Sequence, residues 1–154
     1  MEVSLARRSA LQAFTALAAV ALGCSRVTAT PDAKMAPLLA PADLAARLSD
    51  IKAGKIAVLH IGPRLLFQRE RIPGSRWVGE TGTSDGLAAF EAAVKAIPAD
   101  VEIVAYCGCC PVANCPNVFP ARQALGARPR ATVLDLPSNF RTDWAKKGYA
   151  IEQG

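Results

Sequence analysis

The segment VEIVAYCGCCPVANCPN, residues 101–117, decides the fold of this chain of 154 residues. Its first six residues (101–106) form a nearly continuous apolar run, which is typical of a strand buried on both faces of a parallel sheet. Four of the five cysteines follow at once: Cys107, Cys109, Cys110 and Cys115. In an open α/β sheet, ligands bind beyond the carboxyl ends of the strands. The segment therefore predicts a buried strand that carries four thiols to the binding edge of a sheet.

Two further apolar runs, residues 55–61 (KIAVLHI) and 131–136 (ATVLDL), have the length and character of buried strands. Helical spacing is clearest at residues 87–97, where apolar residues recur every three or four positions and a proline follows as a stop. Shorter elements are expected as helices at 42–49, 64–71, 117–126 and 140–147 and as a strand at 76–78. This alternation predicts a single α/β domain at residues 42–154, with a mostly parallel central sheet flanked by helices, behind a linker at residues 30–41.

The composition is that of a globular protein, with 51% hydrophobic and 20% charged residues. The 18 basic and 13 acidic residues give a net charge of +5, but the basic residues are scattered and form no run. A nucleic-acid partner is therefore not expected. The sequence carries no signal for a particular oligomeric state.

Residues 1–29 have the organisation of an export signal, with Arg7 and Arg8 ahead of an apolar run that is too short to span a bilayer. The paired arginines resemble the twin-arginine signal of exported proteins. Two endings remain open: lipidation of Cys24, which would anchor the protein to a membrane as a lipoprotein, and cleavage after Ala29. Either ending predicts a location in the periplasm or on the outer face of a membrane, where disulfides persist.

Several short motifs are similar to those of one known family. The strand at residues 103–107 ends in Tyr-Cys (IVAYC), the turn at residues 72–75 reads IPGS, and Trp144 precedes Gly148 by four positions. Together these features resemble the rhodanese family of sulfurtransferases over residues 41–154. The resemblance implies a small α/β fold in which the cysteine after that strand carries sulfur as a persulfide. No cofactor is implied.

The chain departs from the usual motifs of this family in several places. His60 and Gly62 stand where the first strand of the family usually has aspartate and arginine, and Arg71 replaces the histidine before Ile-Pro-Gly. Ser138 and Asn139 stand in place of Gly-Gly. The active-site loop, which often carries arginine or lysine in the family, has no positive charge here, so it offers no cation to an anion such as thiosulfate. The resemblance is to an atypical, cysteine-rich member.

Cys107 is the candidate nucleophile. A loop between a strand and a helix offers backbone N–H groups and the positive end of a helix dipole, which lower the pKa of a thiol and suit a persulfide anion. Gly108 is expected where a Cβ would obstruct a turn or a close approach of the backbone. His60, the single histidine, is expected near Cys107 as a base or a metal ligand, or as a structural residue bonded to the backbone.

Three interpretations of Cys109, Cys110 and Cys115 remain open. As resolving thiols they would attack a persulfide or disulfide at Cys107 and pass on sulfur or electrons. As ligands together with Cys107 they would suit soft Cu(I) or Zn(II), although their spacing does not match the usual Cys-x-x-Cys pairs of zinc sites. As structural residues they would form disulfides that brace the loop.

Arg64, Arg71 and Arg122 are the basic residues expected to face a substrate pocket. The leading hypothesis is an exported rhodanese-like protein with sulfurtransferase or thiol-exchange activity. It would take sulfane sulfur from a small sulfur compound or a protein persulfide onto Cys107. The alternative, from a different class, is a non-enzymatic module whose cysteine-rich loop binds a soft metal or is braced by disulfides.

Overall fold

The computed structural model of the chain describes residues 34–154. The expected export signal (residues 1–29), with Cys24, and residues 30–33 of the expected linker lie outside the described residues. The strands and helices follow one another as β1 (Leu38–Leu39), α1 (Pro41–Ala45), α2 (Leu48–Lys52), β2 (Ile56–His60), α3 (Arg64–Arg69), β3 (Arg76–Trp77), α4 (Ser84–Ala96), β4 (Glu102–Tyr106), α5 (Val118–Leu125), β5 (Ala131–Leu134) and α6 (Phe140–Asp143). Two 3₁₀ turns lie at Val112–Asn114 and Ala145–Lys147.

The strands form one five-stranded sheet in the order β1-β5-β4-β2-β3, and all neighbouring strands are parallel. The predicted α/β fold with a mostly parallel central sheet is therefore confirmed. In the register between β2 and β4, Ile56 pairs with Glu102 and His60 pairs with Tyr106. Both strands consequently end at the same level, and the residues that follow them meet at one edge of the sheet.

The side chains of β4 alternate between the two faces of the sheet. Ile103 and Ala105 pack on the face covered by α4 and α5, whereas Val104 and Tyr106 pack on the face covered by α1, α2 and α6. Successive side chains of a strand point to opposite faces. Cys107 therefore continues the face of Ile103 and Ala105, and its side chain joins the core beneath α4 and α5.

Tyr106 of β4 is hydrogen-bonded to the turn that contains the IPGS motif. Its hydroxyl oxygen accepts a hydrogen bond from the N–H of Ile72 at 3.2 Å and lies 3.1 Å from Oγ of Ser75. Ser75 in turn donates to the carbonyl of Ile72 at 2.6 Å. Burial raises the pKa of Tyr106 to about 12, so the phenol stays protonated and bonded near neutral pH.

The structure differs from the sequence-based expectations at several element boundaries. The expected linker contains β1, whose Leu38 pairs with Val133 of β5. A two-residue strand between prolines has too little pattern to be recognised in the sequence. The helix expected at residues 42–49 is instead the two helices α1 and α2, and the helix expected at residues 140–147 is α6 followed by a 3₁₀ turn. Helices this short are shaped by packing rather than by propensity.

A side chain caps one helix on each side of the sheet. Thr83 accepts a hydrogen bond from the backbone at the start of α4, and Asn139 does the same at the start of α6. The carboxylate of Asp143 also accepts from the N–H groups of Ser138 and Asn139. The Ser-Asn pair that stands in place of Gly-Gly therefore begins α6. None of the helices within residues 34–154 has the length and apolar character needed to cross a membrane.

Candidate functional site

Cys107 lies directly after β4, and only 3% of its surface is exposed. Its sulfur rests beside Gly62, which follows β2. A Cβ built on Gly62 would lie 2.6 Å from the Sγ of Cys107, far inside van der Waals contact. The missing side chain at position 62 therefore makes room for the sulfur, a role that the sequence did not reveal.

The sulfur atoms of the four loop cysteines are in contact. Sγ of Cys109 lies 3.2 Å from Sγ of Cys107, 3.1 Å from that of Cys110 and 3.8 Å from that of Cys115. A disulfide bond is about 2.05 Å long, so these are non-bonded distances, and the four cysteines are free thiols in the structure. Cys107 and Cys115 are buried, Cys110 is half-buried and Cys109 is exposed.

Three of the four sulfur atoms are close enough to share one ion. The Sγ atoms of Cys107, Cys109 and Cys115 all lie within 4.8 Å of one another. With a Zn–S bond of about 2.3 Å, two thiolates on one tetrahedral ion lie about 3.8 Å apart. The three distances therefore suit a soft metal ion. Cys110 and His60, which the sequence placed among the candidate ligands, fall outside this group.

Cys107 and Cys115 are neighbouring thiols whose pKa values shift in opposite directions. The neighbouring thiol of Cys107 and the backbone N–H groups of Asn117 and Val118 lower the pKa of Cys115 to about 5. The neighbouring Cys115, together with burial, holds the pKa of Cys107 above its ordinary value, opposite to the lowering that the sequence predicted. The helix that follows the loop begins at Val118, beside Cys115.

Asn117 joins the cysteine loop to the loop after β3. It is 5% exposed. Its side-chain oxygen accepts from the N–H of Gly82 at 2.8 Å, and its side-chain nitrogen lies 3.7 Å from Sγ of Cys107 as a donor. Its backbone carbonyl accepts from the hydroxyl of Thr81. Sequence reasoning missed Asn117, because an asparagine ahead of a helix is ordinarily interpreted as an N-cap.

His60 is 1% exposed and packs against the rings of Tyr106 and Phe67. Burial lowers its pKa to about 4, so the imidazole is neutral near neutral pH. Its Nδ1 accepts from the N–H of Gly62 at 3.4 Å, which assigns the single ring proton to Nε2. His60 is thus bonded to the backbone, as its structural interpretation expects, and lies next to the sulfur cluster.

A cavity of about 130 Å³ lies beside the cysteine loop. It is lined by His60, Leu66, Arg69, Glu70, Gly108, Phe140 and Arg141. Two arginines, Arg69 from α3 and Arg141 from α6, therefore share this cavity with the neutral imidazole and with the carboxylate of Glu70. Sequence reasoning missed both, because the face that a short helix turns towards a cavity depends on its packing.

The three arginines that the sequence singled out are engaged elsewhere. The guanidinium of Arg64 lies over the ring of Trp77, with its carbon atom 5.4 Å from the ring centre. Arg71 pairs with the carboxylate of Glu152 at 2.6 Å. Arg122 donates to a backbone carbonyl ahead of β1 at 2.9 Å. None of the three lines the cavity beside the cysteine loop.

Gly108 makes the close approach that the sequence predicted. A Cβ at this position would lie 2.8 Å from Cβ of Phe140. The carbonyl of Gly108 also accepts a hydrogen bond from the N–H of Phe140 at 3.3 Å. The glycine therefore lets the cysteine loop pack against the start of α6.

Comparison with known proteins supports the fold. No protein-family profile and no curated protein matches the sequence. Among solved structures, a protein from Bacillus halodurans is similar, with a TM-score of 0.55, 20% identity and 77% of each chain covered. The rhodanese-like domain of a protein from Anabaena sp. has a TM-score of 0.53 and 18% identity, with 78% of this chain and 81% of that chain covered.

A third similar structure is a protein of unknown function from Rhodopseudomonas palustris, described as a possible tyrosine phosphatase. Its TM-score is 0.53 at 18% identity, with 76% of this chain and 85% of that chain covered. At such low identity these similarities define the fold alone. The chain has a rhodanese-like fold with a cluster of cysteines at the carboxyl edge of its sheet.

Proposed function

We propose that this protein handles sulfane sulfur at Cys107, where a sulfur atom taken from a donor forms a persulfide. The observation that supports this most directly is the position of Cys107 at the end of β4 in a rhodanese-like fold, with a second thiol 3.2 Å away. Thiol and persulfide exchange proceeds through direct attack of one sulfur on another. Cys109 is therefore close enough to exchange sulfur with a persulfide on Cys107 within the same loop.

The reaction exchanges one bond to sulfur for another. Sγ of Cys107 attacks the sulfane sulfur of the donor, and the bond between that sulfur and the rest of the donor breaks. The remainder leaves with the electron pair, as sulfite from thiosulfate or as a thiolate from a persulfide. The proton of Cys107 passes to Cys115, whose sulfur lies within 4.8 Å of that of Cys107. The product is Cys107–S–S⁻.

The cavity beside Gly108 supports an anionic donor. Arg69 and Arg141 on its lining carry positive charge and outweigh the single carboxylate of Glu70, and Nε2 of the neutral His60 is a hydrogen-bond donor. These groups take the place of the arginine or lysine that the cysteine loop lacks. We therefore infer that small anionic sulfur compounds and persulfides are the substrate class, with no cofactor required.

Mass spectrometry of the intact protein tests this function. The protein is incubated separately with thiosulfate, with inorganic polysulfide and with an organic persulfide, then trapped with an alkylating reagent and mapped by fragmentation. We expect the mass of one sulfur atom to be added, with the added sulfur on Cys107 at the end of the reaction. No added sulfur with any donor would contradict the proposal, as would sulfur that ends only on other cysteines.

A second candidate function, a non-enzymatic soft-metal site, is favoured by the three sulfur atoms that lie within 4.8 Å of one another. Cys107, Cys109 and Cys115 would hold Zn(II) or Cu(I) as thiolates. Metal analysis of protein purified without chelator, combined with a count of free thiols, separates the two functions. One ion per chain that is lost in Cys109→Ser supports the metal site, whereas four reactive loop thiols without metal support sulfur chemistry.

We also propose that the protein is exported, on the sequence of residues 1–29. Expression in a Gram-negative host, with cell fractionation, tests this location. The wild-type chain is expected outside the cytoplasm, and replacement of Arg7 and Arg8 by lysine is expected to retain it inside. Labelling with a fatty-acid analogue distinguishes lipidation of Cys24 from cleavage after Ala29.

A further inference from the structure

We propose that Cys109 is the first acceptor of sulfur from organic and protein persulfides, and that it passes the sulfur atom inward to Cys107. The inference rests on the proposed sulfur chemistry at Cys107 and deepens it. It divides the cysteine cluster into an outer thiol that meets the donor and an inner thiol that keeps the sulfur.

The cysteines of the loop differ in their exposure to solvent. Cys107 and Cys115 are 3% and 4% exposed, whereas Cys109 is an exposed residue. Transfer from a persulfide requires the attacking sulfur to approach the sulfane sulfur of the donor directly. A donor whose sulfur is attached to a peptide or a protein cannot bring that atom to the buried Cys107. It meets Cys109 first.

The exposed Cys109 is in contact with the buried Cys107. Its Sγ lies 3.2 Å from Sγ of Cys107, so a sulfur atom attached to Cys109 reaches Cys107 by rotation of side chains alone. The side-chain nitrogen of Asn117 can then donate a hydrogen bond to the sulfur of Cys107. Cys110 also touches Cys109, at 3.1 Å, but it falls outside the group in which Cys107, Cys109 and Cys115 are mutually close.

Both transfers balance without an oxidant or a reductant. In the first, Cys109–SH and R–S–SH give Cys109–S–SH and R–SH: the S–S bond of the donor breaks, a bond between Cys109 and the sulfane sulfur forms, and the donor thiolate takes up the proton. In the second, Sγ of Cys107 attacks the outer sulfur of Cys109–S–SH. Cys109 leaves as a thiolate and recovers the proton, and Cys107–S–SH forms.

The rate of donor consumption tests the order of the two steps. Wild type, Cys109→Ser, Cys107→Ser and Cys110→Ser are mixed with glutathione persulfide as the bulky donor and with thiosulfate as the small donor. Release of glutathione or sulfite is followed in the first turnover, and circular dichroism checks that each variant is folded. Cys110→Ser is the matched control, since it also removes a thiol that touches Cys109.

With glutathione persulfide we expect Cys109→Ser to slow the first turnover by roughly tenfold or more, because the exposed thiol is lost and the three that remain are buried or half-buried. Cys110→Ser is expected to react like wild type. Cys107→Ser is expected to consume one equivalent at the wild-type rate and to hold the sulfur on Cys109. With thiosulfate, the loss in Cys109→Ser is expected to be smaller.

Two results would overturn the inference. One is wild-type loading of Cys107 in Cys109→Ser with glutathione persulfide. The other is a slow first turnover in Cys107→Ser with no sulfur on Cys109. Both leave the proposed function intact, since wild type still loads Cys107. If the wild-type protein takes sulfur from no donor, the proposed function itself fails, and the inference fails with it.

Discussion

At the scale of single residues, the absence of a side chain at Gly62 shapes the site as much as the cysteines do. The sulfur of Cys107 occupies the space that any Cβ at this position would fill. The position of the Cys107 sulfur therefore depends on a residue that carries no reactive group. His60, two residues earlier, adds a buried imidazole whose charge state is set by its surroundings.

We expect Gly62→Ala to destabilise the protein by about 1–3 kcal/mol, because the new methyl group forces the sulfur of Cys107 to move. Sulfur loading of Cys107 should fall in the same variant. Urea unfolding measures the first effect and donor consumption the second. The matched control is a double-mutant cycle with Cys107→Ala, which removes the clashing atom. A cost of Gly62→Ala that is equal in both backgrounds would contradict this account.

His60 should make the protein less stable in acid. The pKa of this imidazole is about 4 in the folded protein and 6.5 in the unfolded chain, so only the unfolded chain takes up the proton between these values. The free energy of unfolding should therefore fall by up to about 3 kcal/mol as the pH drops from 6.5 to 4 and stay level above 6.5.

Urea unfolding at a series of pH values measures this effect. His60→Gln keeps an amide in the place of the imidazole but does not titrate, so its stability should lack this part of the acid slope. Equal slopes in wild type and His60→Gln would show that other groups control the acid stability.

At the scale of elements, Asn117 couples the start of α5 to two loops. We expect Asn117→Ala to cost about 1–3 kcal/mol, because it leaves the buried N–H of Gly82 without its acceptor. Asn114→Ala is the matched control, since Asn114 is exposed in the neighbouring 3₁₀ turn, and it should change stability by less than about 0.5 kcal/mol. Equal costs in the two variants would contradict the role of Asn117.

The sequence predicts the central elements because their burial leaves a direct pattern. β2, β4 and β5 are covered on both faces, so each is a continuous apolar run, and the end of β4 places the cysteines at the binding edge. β1 leaves no such pattern, because two leucines between prolines pair with β5 only in the folded chain.

Within the site, spacing along the chain predicts which cysteines gather but not how they differ. Exposure of Cys109, burial of Cys107 and the low pKa of Cys115 all depend on how the loop packs in the folded chain. The choice of arginines has the same limitation. Arg69 lies only two residues before Arg71 in the sequence, yet Arg69 lines the cavity and Arg71 pairs with Glu152.

At the scale of the whole molecule, the carboxyl-terminal residues close the structure around the turn before β3. Glu152 forms an antiparallel bridge with Arg71, and its carboxylate also accepts from the N–H of Gly74 at 3.3 Å. The carbonyl of Ala150 accepts from the indole N–H of the fully buried Trp144 at 2.8 Å. Ala150 and Glu152 thus bond to two separate segments, Trp144 after α6 and Arg71 after α3.

Removal of residues 150–154 should therefore lower the free energy of unfolding by about 2–4 kcal/mol, since a buried indole N–H and the bridge to Arg71 lose their partners. Chemical unfolding measures the change. Glu152→Gln is the control: it keeps the backbone bridge and weakens only an exposed ion pair, so it should change stability far less than the truncation does. A truncated protein as stable as wild type would show that these contacts contribute little.

The four thiols all come from one uninterrupted stretch of nine residues, 107–115. These four thiols could therefore be moved to another protein as one segment, unlike a site that is assembled from distant segments. Transplanting residues 107–117 onto the matching strand of another parallel sheet would move the sulfurs and Asn117 together. The recipient must also have a glycine at the position of Gly62. Any side chain there would displace the sulfur of Cys107.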